Sequence, residues 1–229
     1  MQMSEMQTKE YPAAPWRLNG QLYGSIWSLS PGNIRVELPL DFKLLVNLGR
    51  ASAFAGFVDY QPGSTLVYHE LIGGVVVRLQ DSWRCAFYVT HIWVDDAQSQ
   101  QGGCEIWGVP KELATFRYNY APPARTFTAA AQVSNGQVLA RGHFRTTMGL
   151  PRPLKLPVPF PNLQMLHGQP HHSSGTFWSS LQLCRGGTVV PADSPLAALG
   201  IAGHKPVVSF AGLNFKMYLA AAKPVKSHK

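Results

Sequence analysis

Short stretches of apolar residues, separated by polar residues and turns, recur along the chain and predict strands. Residues 65–79 and 83–94 are rich in apolar and β-branched side chains, as is typical of strands buried on at least one face. Residues 126–134 and 138–147 flank Asn135-Gly136, which is a strong signal for a hairpin turn. Further strands are predicted at residues 21–29, 51–60, 116–120, 176–183 and 206–217. The pattern therefore favours an antiparallel sheet.

Proline and glycine limit how long a helix can be. The 229 residues include 21 Gly and 18 Pro, which is typical of a chain with many turns and few long helices. Residues 33–48 predict a short helix that Pro39 interrupts, and residues 194–199 predict a helical turn. Residues 151–161 hold five prolines, so we expect an extended segment that is neither a helix nor a central strand. A polar loop is expected at residues 168–175.

The predicted fold class is therefore mainly β (α+β). We expect about eight to twelve antiparallel strands that close into a barrel or curve strongly, with a few short helices. The chain is 45% hydrophobic and only 14% charged, so it can bury a sizeable core, and we expect one domain spanning residues 1–229. The low charge content also favours contacts between subunits, and we expect a homo-oligomer.

The two ends of the chain differ from its body. Residues 1–10 and 223–229 are polar or basic and are predicted to be frayed termini. In residues 11–16 each proline forces its predecessor out of the helical region, which predicts an extended arm anchored by Trp16. The first ten residues lack an apolar signal core, and no segment has the ~18 apolar residues of a membrane span. We expect a soluble, cytoplasmic protein.

Charge and cysteine content argue against several classes of partner. The formal net charge is +8, but the Lys and Arg residues are scattered singly and not interleaved with aromatic residues, so nucleic-acid binding is not expected. A positive field can still attract small anions such as carboxylates. Cys85, Cys104 and Cys184 form no Cys-x-x-Cys pair, and the adjacent His171 and His172 point in different directions. Neither a disulfide framework nor a metal site is therefore expected.

The stretch from Gly102 to Phe116 places one lysine directly after a Gly-Val-Pro corner. Pro110 fixes its own φ and makes Val109 extended, so backbone geometry sets the position of Lys111. Two interpretations are open at this point. A rigid corner can present the amine to a pocket, or Lys111 can begin a short surface helix with Pro110 in its first turn.

Glu70 is the second candidate catalytic residue. It lies in the predicted strand 65–79, both faces of which are mostly apolar, so the carboxylate points into a core or lines a cavity and needs a partner or a proton. An amine and a carboxylic acid in one apolar pocket suit iminium formation with a ketone or aldehyde, with the acid shuttling protons. The sequence shows no nucleophile elbow, phosphate-binding loop, His-Glu-x-x-His helix or dinucleotide-binding turn.

Five groups of residues, in order along the chain, resemble those of the acetoacetate decarboxylase family. They are Tyr11-Pro12 with Pro15-Trp16, Tyr68-His69-Glu70-Leu71, His91-Ile92-Trp93-Val94-Asp95, the stretch from Gly102 to Phe116, and Arg152-Pro153-Leu154-Lys155-Leu156-Pro157. The resemblance covers most of the chain. Its central Gly-x-Pro-Lys-Glu-Leu-Ala block is the most specific part.

The resemblance implies a cone-shaped antiparallel β-barrel, usually in oligomers, and a Schiff-base mechanism that needs neither a metal nor an organic cofactor. It implies that Lys111 is the Schiff-base lysine and Glu70 a pocket acid, and we expect Tyr68, Trp107 and Cys104 to contact the substrate. The expected activity is a carbon-carbon lyase of the decarboxylase or the aldolase and dehydratase type, acting on a small or apolar oxo compound. The alternative is a non-catalytic barrel that binds an apolar ligand, as in plant relatives implicated in carotenoid formation that lack the lysine.

Four positions depart from the decarboxylase proper. The residue after the lysine is Glu112, where the decarboxylase has a second lysine whose charge lowers the pKa of the amine; that enzyme is the standard example of a lysine activated by a cationic neighbour. Gly20 stands where the family has an arginine, Ala55 or Asp59 where it has a second pocket glutamate, and Cys104 where it has the arginine of Gly-Gly-Arg-Glu. Only burial could then lower the pKa of the lysine, and we do not expect acetoacetate to be the substrate.

Overall fold

The computed structural model describes residues 10–80, 82, 85–121, 125–151 and 154–225. These residues form fourteen strands, one α-helix and two 3-10 helices. The strands are β1 (Trp16–Leu29), β2 (Phe42–Leu44), β3 (Val46–Asn47), β4 (Arg50–Tyr60), β5 (Tyr68–Leu79), β6 (Cys85–Val94), β7 (Lys111–Leu113), β8 (Thr115–Ala121), β9 (Thr126–Gln132), β10 (Val138–Gly149), β11 (Leu156–Leu166), β12 (Gln169–Val189), β13 (Val208–Leu219) and β14 (Lys223–Pro224). The helix α1 is Ala97–Trp107, and the 3-10 helices are Pro31–Asn33 and Pro195–Leu199.

Seven of these strands close into a barrel. Their order is β11-β6-β5-β4-β1-β13-β12, and an additional pairing of β11 with β12 completes the circle. The sheet continues from β12 through β10 and β9 to β8. Closure leaves no free edge in the barrel itself. The predicted mainly β class and closed barrel are confirmed, and so is the hairpin at Asn135-Gly136, which joins β9 to β10.

The proline-rich segment is a barrel strand, so the prediction that it would not be a central strand was wrong. β11 pairs with β12 from Leu156 to Leu166 and meets β6 at a single parallel bridge, Asn162 to Phe87. Prolines 157, 159 and 161 occupy alternate positions, and backbone N–H groups of alternate residues point to the same edge of a strand. The missing donors therefore affect one edge only, and the other edge pairs with β12. Arg152 and Pro153, the first residues of the last family motif, lie outside the described residues.

Two other expectations were wrong. Residues 168–175 were expected to be a polar loop, but Gln169–Val189 is one strand of 21 residues, long enough to pair with β11 near its start and with β10 near its end. Residues 33–48 were expected to hold a short helix, but apart from the 3-10 turn Pro31–Asn33 they contain the short strands β2 and β3. The predicted helical turn at 194–199 is confirmed as the 3-10 helix Pro195–Leu199.

Apolar side chains pack on both faces of the barrel wall. On β5, Leu71, Val75 and Val77 belong to a core outside the barrel that includes Phe57, Phe127 and Leu199. A second core at one end of the barrel contains Trp16, Tyr60, Tyr68, Trp107 and Phe215. This arrangement explains why both faces of the β5 sequence are mostly apolar.

The N-terminal arm packs against α1. Trp16 is buried, its indole Nε1 donates to the carbonyl of Pro12, and its ring meets Trp107 edge to face with centroids 4.7 Å apart. The hydroxyl of Tyr11 donates to Glu105 on α1. The predicted anchoring by Trp16 is confirmed.

The predicted frayed termini lie mostly beyond the described part of the chain, since residues 1–9 and 226–229 fall outside it. At the C-terminal side, Lys223 and Pro224 form β14, which pairs with β12. No helix in the described part of the chain is long and apolar enough to cross a membrane.

Candidate functional site

The helix α1 ends just before the lysine and fixes the corner that carries it. Asp96 caps the first turn by accepting a hydrogen bond from the backbone N–H of Ser99, and Gly108 ends the helix with φ 68°. Lys111 then begins β7, so the alternative of a surface helix starting at Lys111 was wrong. The helix itself was not predicted, although Asp96 and Gly108 are good cap residues. Gly102 and Gly103 obscured it, because glycine costs about 1 kcal/mol inside a helix.

The two glycines leave space for two large side chains. A Cβ added to Gly103 would lie 2.5 Å from Cδ of Lys111, and one added to Gly102 would lie 2.7 Å from Cζ2 of Trp16. Both distances are far below van der Waals contact. The Gly102-Gly103 pair is therefore needed for the close approach of α1 to the lysine side chain and to the N-terminal arm.

Lys111 meets Glu70 inside the protein. β7 runs parallel to β6, with Lys111 opposite Ile92. The Nζ atom of Lys111 lies 2.9 Å from Oε2 of Glu70, and it donates to Oγ of Ser99 at 2.9 Å and to the hydroxyl of Tyr68 at 3.3 Å. Lys111 is 8% exposed and Glu70 3%. The structure thus brings together three of the predicted site residues from distant parts of the sequence.

A second tyrosine completes the shell around the carboxylate. The hydroxyl of Tyr60 donates to Oε1 of Glu70 at 3.1 Å, and the rings of Tyr60 and Tyr68 lie 4.4 Å apart. Neither Tyr60 nor Ser99 was predicted from the sequence. Tyr60 is the cross-strand partner of Tyr68 in the β4–β5 pair, so the strand register would have revealed it. Ser99 would have followed from recognition of α1.

Burial and the charge of Glu70 together shift the pKa values in this site. Burial by itself lowers the pKa of Lys111, but the charge of Glu70, the proximity of Tyr68 and the hydrogen bonds from both raise it above its ordinary value. Burial raises the pKa of Tyr68 to about 12, with Lys111 lowering it and Glu70 raising it. Burial and then the charge of Glu70 raise the pKa of Tyr60 well above its ordinary value. In the resting site Lys111 is therefore an ammonium in contact with Glu70, and both phenols are protonated.

Glu112 does not take part in this pair. Successive residues on a strand point to opposite faces, and the carboxylate of Glu112 accepts a hydrogen bond from Nε1 of Trp93 at 3.0 Å. Glu112 is exposed, whereas Lys111 is buried. The carboxylate that acts on the lysine is thus Glu70 and not its neighbour in sequence.

At the positions where the family has its other charged pocket residues, this chain places no charged side chain in the cavity. A Cβ added to Gly20 would lie 1.8 Å from the carbonyl oxygen of Asp59, so this backbone has no room for an arginine there. Ala55 is buried in the core outside the barrel. Asp59 accepts hydrogen bonds from Tyr120 and Gln61 and lies near His69. Neither Ala55 nor Asp59 lines the cavity next to Glu70.

A cavity of about 800 Å³ runs from this site through the barrel. Glu70 and Tyr60 lie among its lining residues, together with side chains of β1, β4, β5, β6, β11, β12 and β13 and with Met148, Gly149 and Leu150. Lys111 contacts Glu70 and Tyr68, but neither Lys111 nor Tyr68 is a lining residue.

The other two predicted substrate contacts lie away from the cavity. Trp107 packs in the core at one end of the barrel, and its Nε1 donates to the carbonyl of Ala220 at 2.7 Å. The thiol of Cys104 contacts the backbone carbonyl of Lys111 at 3.8 Å. Neither residue is among those lining the cavity. Within the described residues, no group of three or more His, Cys, Asp or Glu side chains could hold a metal ion.

Fold and site together define a class of protein: closed β-barrels with a buried lysine–glutamate pair at an apolar cavity. The family model described as acetoacetate decarboxylase (ADC) matches residues 2–174. This chain belongs to the acetoacetate decarboxylase family. The resemblance found in the sequence motifs is thereby confirmed.

Solved structures of this family's fold cover nearly the whole chain. Acetoacetate decarboxylase from Legionella pneumophila subsp. pneumophila str. Philadelphia 1 superposes with a TM-score of 0.76 at 20% identity, covering 100% of this chain and 93% of that chain. The enduracididine biosynthesis enzyme MppR complexed with pyruvate gives a TM-score of 0.70 at 16% identity and coverages of 97% and 95%. An acetoacetate decarboxylase-like enzyme from Sphingomonas wittichii RW1 gives 0.66 at 14% identity and coverages of 98% and 98%. A comparison with curated protein sequences gives no match.

Proposed function

We propose that this protein is a Schiff-base enzyme in which Lys111 attacks the carbonyl group of a ketone or aldehyde and Glu70 moves the protons. The observation that carries the proposal is the 2.9 Å contact between Nζ of Lys111 and Oε2 of Glu70, with Glu70 lining an apolar cavity. An amine and an acid at this distance can exchange a proton directly.

The first step is the release of the amine. Transfer of one proton from Nζ of Lys111 to Oε2 of Glu70 converts the ion pair into a neutral amine and a carboxylic acid. Burial favours the uncharged forms of both groups, so a substrate that excludes water from the cavity promotes this transfer. No cationic neighbour is required for this route to a neutral amine.

Bond formation then proceeds with balanced protons. The neutral amine attacks the carbonyl carbon, a C–N bond forms, and a proton moves from nitrogen to oxygen to give a carbinolamine. Glu70 donates its proton to the hydroxyl group, which leaves as water, and the product is an iminium cation beside the Glu70 carboxylate. This cation can act as the electron sink for cleavage or formation of a bond at the adjacent carbon.

Structural relatives support carbonyl chemistry in this fold. MppR has been solved with pyruvate and with the condensation product of pyruvate and imidazole 4-carboxaldehyde, and the Legionella protein is an acetoacetate decarboxylase. One of these ligands is an oxo acid and the other forms from two carbonyl compounds. We therefore propose a lyase of the decarboxylase or aldolase type for this chain.

A second candidate function is the binding of an apolar ligand without chemistry. The size of the cavity and the absence of Lys111 from its lining residues favour this alternative. The burial of Lys111 against Glu70, which itself lines the cavity, favours the enzyme. Self-association into a homo-oligomer, a single domain and a cytoplasmic location stay predictions.

Borohydride trapping tests the proposed function. Wild-type protein is incubated with a panel of ketones, aldehydes and oxo acids, reduced, digested and analysed by mass spectrometry. We expect an adduct on the peptide containing Lys111, no adduct there in Lys111→Met, and an unchanged adduct in the matched control Lys216→Met, which alters an exposed lysine. Absence of any adduct at Lys111 across the panel would contradict the proposal.

A further inference from the structure

We propose that the carbonyl substrate is uncharged and carries a long apolar tail, with its carbonyl group at Glu70 and its tail directed towards Met148 and Cys85. This proposal rests on the proposed function, because it places the reacting group at the same Lys111–Glu70 pair. It goes further in naming the substrate class and its orientation in the barrel.

The shape of the cavity supports a long tail. Glu70, Ile72 and Val76 line it from one face of β5, and at about 3.3 Å per residue Glu70 and Val76 lie about 20 Å apart along the strand. On the neighbouring strand Val76 pairs with Phe87, and Cys85 lies beyond it. The cavity of about 800 Å³ is therefore elongated along the barrel.

Exposure distinguishes the two ends of the cavity. Glu70 is buried at one end, whereas the lining residues Met148 and Leu183 at the other end are 71% and 47% exposed. Cys85, which lies at the same end as Val76 and Phe87, is also exposed. A ligand thus enters between Met148 and Cys85 and reaches Glu70 last.

Charge explains why the substrate should carry no carboxylate. Among the described residues that line the cavity, none is Lys, Arg or His. The charge of Glu70 is already balanced by Lys111. The amide of Gln182 is engaged by Leu150 and Ser180. A substrate carboxylate would therefore be buried without a cationic partner, which is strongly unfavourable.

The walls of the cavity match an alkyl chain. Besides Glu70 and Tyr60, the side chains between the two ends are apolar, among them Ile26, Phe54 and Phe210. Burial of one methylene group strengthens binding about fourfold. Without a carboxylate the substrate has no carbon dioxide to lose, so the iminium would serve cleavage or formation of a C–C bond next to the carbonyl.

Titration calorimetry with two homologous series tests the substrate class. The probes are the unbranched methyl ketones from butanone to dodecanone and the fatty acids of matching length. We expect the Kd of the ketones to fall with each added methylene, by up to about fourfold, and each long ketone to bind at least about tenfold more tightly than the matching acid. Equal or tighter binding of the acids, or no dependence on chain length, would overturn the proposal.

Two modifications test where the apolar tail of the substrate lies in the cavity. Val76→Trp narrows the channel at the end away from Glu70, while the matched control Val67→Trp adds the same volume at a position that is 57% exposed. We expect Val76→Trp to weaken binding of dodecanone at least about tenfold and by a larger factor than it weakens binding of butanone, with no effect of Val67→Trp. Should Val76→Trp fail to fold, modification of Cys85 with a bulky maleimide, with Cys85→Ser as control, is expected to block the long ketones. Unchanged binding of dodecanone in the folded variant or the modified protein would contradict the orientation.

Failure of this proposal can be distinguished from failure of the proposed function. If no carbonyl compound is trapped on Lys111, but ketones bind with the expected length dependence to the wild type and to Lys111→Met/Glu70→Gln, the substrate class stands and the enzyme proposal falls. If pyruvate or another short oxo acid is trapped on Lys111 as efficiently as dodecanone, the enzyme proposal stands and the substrate class falls.

Discussion

Nζ of Lys111 lies 2.9 Å from Oε2 of Glu70, and this ion pair is buried at the end of an apolar cavity. The two residues come from β7 and β5, which are not paired with each other, since β6 lies between them. The ionisation of the lysine is thus controlled by a carboxylate that only folding brings close. Changes to the carboxylate and to the groups around the pair should therefore alter the reactivity of the lysine.

Removing the carboxylate should shift the reactivity of the lysine to lower pH. In Glu70→Gln the charge that raises the pKa of Lys111 is gone, while burial continues to lower it. An amine reacts in its neutral form, and beyond the fraction that internal transfer to Glu70 neutralises, the wild-type adduct increases as the pH rises through the raised pKa of Lys111. We expect the midpoint of adduct formation against pH to be lower in Glu70→Gln than in the wild type, as measured by borohydride trapping with butanone.

Glu112→Gln is the matched control for this shift. Glu112 is next to the lysine in sequence but is bonded to Trp93 on the other face of β7. We expect its pH profile to coincide with that of the wild type. An equal shift in the two variants would show that Glu70 has no special effect on the lysine.

Two tyrosines bonded to Glu70 allow an effect on stability to be distinguished from an effect on the reaction of Lys111. Tyr60 donates to the carboxylate of Glu70, whereas Tyr118 donates to the backbone carbonyls of Val58 and Glu70. Replacement of either by Phe leaves a buried acceptor short of a donor and should cost about 1–3 kcal/mol of unfolding free energy. We expect only Tyr60→Phe to alter the rate of adduct formation, because of these two tyrosines only Tyr60 donates to the side chain of Glu70. Chemical denaturation and timed trapping measure the two effects, and a slower rate in Tyr118→Phe alone would contradict the assignment.

Gly103→Ala should displace the lysine. Alanine normally stabilises a helix interior by about 1 kcal/mol relative to glycine, but here its Cβ would lie 2.5 Å from Cδ and 2.8 Å from Cε of Lys111. A lysine side chain can move, so the cost falls on the position of Nζ more than on stability. We expect adduct formation to slow at least about tenfold with a change in unfolding free energy below about 1 kcal/mol.

Gly32→Ala controls for the general effect of an added methyl group, because a Cβ there would meet nothing within 4 Å. We expect this variant to form the adduct at the wild-type rate. Full reactivity of Gly103→Ala would mean that the glycine is not required by the lysine.

A histidine on the outer face of β5 should make stability depend on pH. Nδ1 of His69 lies 2.6 Å from Oδ2 of Asp95, and Nε2 lies 3.7 Å from Oδ1 of Asp59. The hydrogen bond with Asp95 is the largest cause that raises the pKa of His69, against a lowering by burial. Burial alone raises the pKa of Asp95, but its hydrogen bonds with His69 and the charge of that residue lower it overall.

The sign of each shift sets the pH window. Because the pKa of His69 is raised in the folded protein, its contribution to the unfolding free energy is fully present at pH values below the ordinary histidine pKa of about 6.5. This contribution is lost as the pH rises through the raised pKa. Because the pKa of Asp95 is lowered in the folded protein, its contribution to the unfolding free energy is fully present above about pH 3.9. This contribution is lost as the pH falls through the lowered pKa. We expect His69→Gln to reduce the unfolding free energy most between about pH 4 and 6.5, and progressively less at higher pH. The reduction should stay below about 1 kcal/mol, because the His69–Asp95 pair is half-exposed. His172→Gln removes a histidine with no ion pair among the described residues and should leave the pH dependence of the unfolding free energy unchanged. An equal effect of both variants would contradict the assignment to the His69–Asp95 pair.

Much of this protein is determined by its sequence alone. Asn135-Gly136 specifies its hairpin because a two-residue turn depends only on adjacent backbone conformations. Pro110 specifies the corner before Lys111 in the same local way. The family motifs around Glu70 and Lys111 identified the fold and both members of the ion pair, since those side-chain types at those places are tied to one architecture. The apolar, β-branched stretches bounded by turns were enough to predict most of the barrel strands.

Only the tertiary structure decided what these residues contact. The pairing of the proline-rich β11 with β12, the roles of Tyr60 and Ser99 beside the ion pair, and the separation of Glu112 from it all depend on strand register and on the packing of α1. Register is a non-local property, because it is set by which faces are buried against distant segments and not by the order of neighbouring residues. For the same reason the raised pKa of Lys111 depends on Glu70, which lies two strands away in the sheet, and not on the glutamate that follows the lysine in the chain.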